Sequence, residues 1–242
     1  MMVYCIIAID FLMILFLREY LIFMGLNDYL ALPYSLILVI VLHILSYIDI
    51  RLSKKLYKFT YELPIVIDVK GLALYAEAKV SGKVLTHLAI NVVGFIISLI
   101  ISSTLLIRYL DIALRNGYDI YYIALLTISS TLFLTILHNR LVITSHNYVG
   151  IPIVKSIVIT SLTGVMIGTY LDPLAALSIT YVASFISLLL GADLVKIKGI
   201  LKNNPEVISI GGMGILDALI LIPSTSSMIS YSAALLLNLL IN

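Results

Sequence analysis

The chain has 242 residues, of which 62% are hydrophobic and 12% charged, and its mean hydropathy is +1.14; a soluble domain carries about 25% charged residues, so a soluble enzyme, a disordered protein and a fibrous protein are excluded. The formal net charge is +2, from 15 Lys and Arg against 13 Asp and Glu, which leaves no basic field for a nucleic-acid partner. The one cysteine, Cys5, cannot close an internal disulfide.

At roughly 20 apolar residues per membrane-crossing helix, this length accommodates seven crossings and one modest extramembrane segment. In chain order the hydropathy pattern predicts spans over 3–24, 33–50, 88–108, 119–138, 152–170, 174–195 and 208–240. The first is read as a retained helix rather than a removable signal peptide. It lacks a basic leader, carries Asp10 inside the run, and shows no small-x-small cleavage site before Arg18 and Glu19. Leu171-Asp172-Pro173 reads as a tight turn between the fifth and sixth spans. The last span is too long to be one straight crossing, so part of it should be an irregular entry or a tilted helix.

Seven crossings place the N-terminus, residues 51–87, the 139–155 connector and the 196–207 connector on one side. Twelve Lys and Arg fall there, Lys54, Lys58, Arg140, Lys155 and Lys196 among them, against Arg18, Arg108 and Arg115 toward the other. That asymmetry predicts an N-terminus inside and a C-terminus outside, the chain being multi-pass in the cytoplasmic (inner) membrane.

Within 51–87, the runs 57–61, 65–69 and 73–78 are separated by Pro64 and by Lys70-Gly71, which predicts a small cytoplasmic β-element of short strands. A basic loop lying on anionic lipid is the plainer alternative. The expected architecture is thus an all-α, polytopic membrane helix bundle of about seven helices, a single membrane domain over 1–242 with an insertion at about 51–87.

Charged side chains inside a bilayer cost a few kcal/mol and usually face a cavity or a functional path. Here they are Asp10, His43, His87, His138, Asp193 and Asp217, with Asn91 at the start of the third span. His43 and His87 read as interhelical hydrogen-bond partners. His138 and His146 lack a carboxylate at ligand spacing, so neither a metal nor another cofactor is expected.

Asp193 lies about 5 Å below the boundary marked by Lys196, counting 1.5 Å per residue. Asp217 lies at a similar depth if Ile210-Gly211-Gly212-Met213-Gly214 is not helical. Two carboxyl groups on consecutive antiparallel helices then face each other beside a polar cleft, since irregular backbone at membrane depth is tolerated where it lines a wet cavity. Such a pair would share one proton, the arrangement an aspartyl hydrolase needs. Against this stand an interfacial helix-end role for Asp193 and a close-packing role for the glycines.

Gly191-Ala192-Asp193-Leu194 followed by Ile210-Gly211-Gly212-Met213-Gly214-Ile215-Leu216-Asp217-Ala218 resembles the C-terminal pattern of an uncharacterised prokaryotic membrane family, the domain of unknown function sixteen-fourteen. Ile48-Asp49-Ile50, Ile90-Asn91-Val92-Val93-Gly94 and Val149-Gly150-Ile151-Pro152 support the likeness, which runs from about residue 20 onward. Ala192-Asp193 and Gly214-Ile215-Leu216-Asp217 are also similar to the two aspartate motifs of presenilin-like and signal-peptide-peptidase-like intramembrane proteases. In this chain Ala192 stands in place of their tyrosine, Leu216 in place of their second glycine, and no Pro-Ala-Leu motif follows.

That second resemblance implies a catalytic pair of Asp193 and Asp217. Gly191, Gly211, Gly212, Gly214 and Asn91 would bind substrate or shape the backbone. The substrate would be a membrane peptide or a lipid-linked molecule. An ion- or proton-coupled transporter and a non-catalytic scaffold that recruits a partner through 51–87 are the competing functions.

Overall fold

The computed structural model of the chain describes residues 2–69, 72–144, 149–195 and 207–241. The Lys70-Gly71 break, His146 and the basic residues Lys196, Lys198 and Lys202 lie outside these. Among the described residues seven long helices form the bundle: α1 (Met2–Phe23), α2 (Asp28–Leu45), α3 (Ser98–Arg115), α4 (Ile120–Leu141), α5 (Ile153–Tyr170), α6 (Pro173–Leu188) and α7 (Ala218–Ile241). Six segments are long and apolar enough to cross a membrane. They are α2, α4, α5 and most of α7, together with Val92–Arg115 and Pro173–Leu194, in which α3 and α6 are extended by wide π-helical turns. The chain is a multi-pass membrane protein.

The outer faces show why a bilayer suits this bundle. Ile37, Ile40 and Ile44 on α2, and Leu125, Ile128, Leu132 and Ile136 on α4, are exposed at three- and four-residue spacing, an apolar stripe that only lipid or another apolar surface can cover. At the centre stands α6, whose residues Ala175 to Phe185 are all buried. It packs against α3, α4, α5 and α7.

Close approach in this core depends on small residues. A Cβ at Gly164 would come within 2.2 Å of the Ser230 and Thr180 hydroxyl oxygens, and one at Gly168 within 2.6 Å of Ala234 and 2.7 Å of Ala176. Gly164 and Gly168 therefore form a small-xxx-small seam between α5, α6 and α7, the arrangement that lets membrane helices gain dispersion energy from near backbone contact. Ser230 Oγ donates across this seam to the Ser161 carbonyl at 3.1 Å. On the far flank, His43 Nε2 on α2 lies 2.9 Å from Asp10 Oδ1 on α1, so each polar side chain of this helix pair satisfies the other.

The extramembrane element is larger and more regular than its sequence suggests. Instead of short strands, two long antiparallel strands pair as a hairpin, β1 (Asp49–Val69) with β2 (Leu72–Asn91), from Asp49 opposite Asn91 to Val69 opposite Leu72. Pro64 does not break β1. It sits opposite Glu77 on the edge strand of the sheet, where a missing N–H costs nothing in the ladder. A third strand, β5 (Val207–Ile210), runs parallel to the base of β2 from His87 to Ile90. A two-residue ribbon, β3 (Ile143–Thr144) with β4 (Val149–Gly150), joins α4 to α5.

Three predicted boundaries move accordingly. The second crossing is 28–45 rather than 33–50, because Asp49 and Ile50 open β1. The third begins at Val92 rather than residue 88, because Leu88 to Asn91 finish β2, which also places His87 on a strand rather than a helix. The expected irregular entry to the last crossing consists of β5, a glycine turn and a short 3-10 turn (Gly214–Leu216) before α7.

Candidate functional site

At one end of the bundle α6 loosens into a π-helical turn, Leu189–Leu194, that carries Gly191 and Asp193. Gly191 packs against main chain. A Cβ there would lie 2.7 Å from the Thr135 carbonyl oxygen, so the end of α6 is pressed onto α4.

Across from it, the chain leaves β5 and turns at Gly211 and Gly214, whose φ angles are +73° and +60°. L-residues with a Cβ pay steric energy in that region, so the two glycines make the turn feasible. They also permit contact. A Cβ on Gly211 would be 2.7 Å from the Gly94 carbonyl carbon, and one on Gly214 would be 2.4 Å from Ser46 Cβ. Gly212 is tight only toward its neighbour Ser209, at 2.9 Å.

The turn ends on Asp217, which stands in extended conformation just before α7 and caps it. Its Oδ1 accepts from the Leu219 amide at 2.9 Å, and its Oδ2 accepts from the Met213 amide at 3.3 Å. Asp193 makes no hydrogen bond or ion pair among the described residues, and the charge of Asp217 is close enough to act on it. Both carboxyl groups line one cavity of about 190 Å³, whose remaining wall is mostly apolar: Val142 from the end of α4, Ile151 and Ile153 at the start of α5, Leu188 on α6, and Met213 and Leu216 from the turn.

Asn91 is not in that wall. It sits beside the turn and is fully used as a clamp. Its Nδ2 donates to the Ser46 carbonyl at 2.8 Å and to Asp49 Oδ1 at 3.1 Å, while its Oδ1 accepts from the amides of Val93 and Gly94. Asp49 also accepts from Ser209 Oγ at 2.9 Å, and the Ile215 amide donates to Ser46 Oγ at 3.0 Å. One polar joint thus ties the end of α2, the base of the hairpin, the start of α3 and the glycine turn. It is this joint that sets where Asp217 stands.

Sequence reasoning singled out the two acids and the glycines but passed over Ser46 and read Asp49 only as a supporting position. No pattern marks Ser46, because its partner is an amide 169 residues away. Val142 in the cavity wall was equally out of reach, whereas Gly150 and Ile151 entered only as supporting positions of the family likeness. The other intramembrane histidine has a packing role: His138 is fully buried, with Nδ1 2.9 Å from Ser187 Oγ and Nε2 3.4 Å from Thr160 Oγ1. Among the described residues no cluster of His, Cys, Asp and Glu is disposed to hold a metal ion.

The segments quoted for the family resemblance, scattered from Ile48 to Ala218, converge here: the cavity draws on Gly150, Ile151, Ala192 and Asp193, the joint on Asp49, Asn91, Gly94, Gly211 and Gly214. A family model described as "Protein of unknown function (DUF1614)" matches residues 32–229. The chain belongs to this family. The match covers most of α2 through the first half of α7 and so takes in the joint, the cavity and both acids. No curated protein and no solved structure matches the chain.

Proposed function

We propose that this membrane protein is an intramembrane aspartyl-type hydrolase. Asp193 and Asp217 are its catalytic pair, and its substrate is a membrane peptide or a lipid-linked molecule. One observation carries the reading: two carboxyl groups from different segments share one small, mostly apolar cavity, and one of them has no hydrogen-bond or ion-pair partner among the described residues. Asp217, fixed by two amides, is the positioned member. Asp193 is the member free to exchange a proton with whatever enters.

In the reaction, one carboxylate takes a proton from water as the water oxygen bonds to the carbonyl carbon, and the protonated partner gives its proton to the carbonyl oxygen. Collapse of the resulting diol breaks the bond to the leaving nitrogen or oxygen, which takes up a proton. The products are an acid and an amine or alcohol. The basic asymmetry supports the reading that this end of the bundle, with the hairpin, faces the cytoplasmic side of the inner membrane of a prokaryotic cell, with the N-terminus inside and the C-terminus outside.

The test uses the full chain in lipid nanodiscs and a photoreactive hydroxyethylene peptide, a mimic of the tetrahedral diol. Wild type should be labelled, and Asp193→Asn and Asp217→Asn should each lose the label while remaining folded. Asparagine serves as a helix N-cap as well as aspartate does, so Asp217→Asn removes the acid but keeps the cap. Absence of labelling in wild type, or labelling of either variant equal to that of wild type, overturns the assignment.

A second reading draws on the same cavity. At about 190 Å³ it is smaller than the roughly 300–1,000 Å³ of small-molecule pockets, a size that suits a cation or a hydrated proton. A proton- or cation-coupled carrier would show flux into proteoliposomes that depends on both acids and proceeds without hydrolysis.

A further inference from the structure

At the end of the bundle away from the two acids, α4 and α5 part and leave a crevice of about 440 Å³ open to the apolar surroundings. Ser130 and Ile167, both buried, form its floor, and Phe133 and Met166 stand exposed on its rim. At its mouth the rings of Tyr122 and Tyr170 lie 5.9 Å apart. We propose that this crevice is a binding site for a single hydrocarbon chain of a bilayer lipid, with the lipid's polar end at the tyrosine pair.

Length, width and polarity each select that occupant. From Tyr122 to Phe133 the crevice follows α4 for about 16 Å at 1.5 Å per residue, close to the ~15 Å of one leaflet's hydrocarbon. Spread along that length, 440 Å³ makes a slender groove whose floor a single hydrocarbon chain reaches and a helix about 10 Å across does not.

The hydroxyls in the wall do not alter its character. Ser129 Oγ donates to the Leu126 carbonyl and Thr163 Oγ1 to the Ile159 carbonyl, each at 3.0 Å, which leaves an apolar lining along the chain's path. Apart from the Ser130 hydroxyl on the floor, the polar groups gather at the mouth, and tyrosine favours headgroup depth. Exposed Leu125, Leu132 and Leu162 on the same two helices make the approach from lipid apolar as well.

The experiment uses the full chain in nanodiscs made with phosphatidylcholine that bears a diazirine on one acyl chain, either at the terminal carbon or near the glycerol. After illumination, the terminal probe should mark Phe133 and Thr163, the near-glycerol probe Tyr122, Met166 and Tyr170. Ser130→Phe, which fills the floor, should abolish these adducts while those on Leu132 and Leu162 persist. Met166→Phe, at the exposed rim, serves as the second variant should the buried substitution impair folding, and should shift the near-glycerol adducts. Labelling no stronger inside the crevice than at Leu132 and Leu162 and unchanged by either variant overturns the proposal, as does a protein cross-link in place of a lipid adduct.

Discussion

The two ends of the bundle solve the same local problem with different remainders. At one end, Asp172 caps α6: its Oδ1 accepts from the Ala175 amide at 2.9 Å, and its Oδ2 accepts from the hydroxyl of buried Tyr109 at 2.9 Å. At the other, Asp217 caps α7 with the same 2.9 Å bond to an amide two residues on. Each acid borders a hollow, of about 260 Å³ at Asp172 and about 190 Å³ at Asp217. The first hollow holds one acid, and donors from two helices match it. The second holds a surplus acid, Asp193, for which the described residues provide no donor. Capping accounts for Asp172 completely and for Asp217 only in part, and the surplus carboxyl is what separates a structural end from a candidate site.

Substitutions can break this contrast, and the largest effect belongs to the turn. Gly211→Val should cost about 3 kcal/mol or more, because it adds a branched side chain at positive φ and 2.7 Å from the main chain of Gly94. Thermal unfolding in detergent measures it, and a loss below about 1 kcal/mol would show that the joint tolerates separation.

Asp172→Ala should follow at about 2–3 kcal/mol, the sum of a lost cap and a lost charge-assisted bond from Tyr109. Tyr109→Phe combined with Asp172→Ala should cost less than the two apart, and strict additivity in that cycle would deny the bond a role.

Asp217→Ala should cost about 1 kcal/mol as a cap alone, and Asp217→Asn only a few tenths. An asparagine variant as damaged as the alanine would mean that the carboxylate charge itself holds the turn. Smallest of all, Asp193→Asn should leave stability within about 0.5 kcal/mol of wild type, since no hydrogen bond from the described residues is lost. A large destabilisation there would turn Asp193 into a structural residue and erase the contrast between the two ends.

Hydropathy made the crossings legible because a bilayer imposes one scale of length on every apolar run. It misplaced the ends of the second and third crossings for a definite reason: Ile48, Ile50, Leu88 and Ile90 are as apolar as the helices they adjoin, yet Asp49–Ile50 and Leu88–Ile90 lie in strands at the base of the hairpin. Composition carries no information about pairing partners that far apart, and β5, which follows 116 residues after the end of that hairpin's base, was invisible for the same reason. The two acids and their glycines stood out because ionisable groups at membrane depth are rare. Gly164 and Gly168 did not, although their four-residue spacing was there to be seen among many other small residues on α5.

Where Gly94 and Gly211 meet, main chain touches main chain with no side chain between them. Elsewhere in a packed interior a bulky rotamer can swing aside to absorb a neighbouring change, but here nothing can swing. The gap between the start of α3 and the strand that leads to Asp217 is set by atomic radii alone. That makes it the least adjustable dimension of the molecule, and any rearrangement that moves Asp217 relative to α3 must carry whole rods of helix with it.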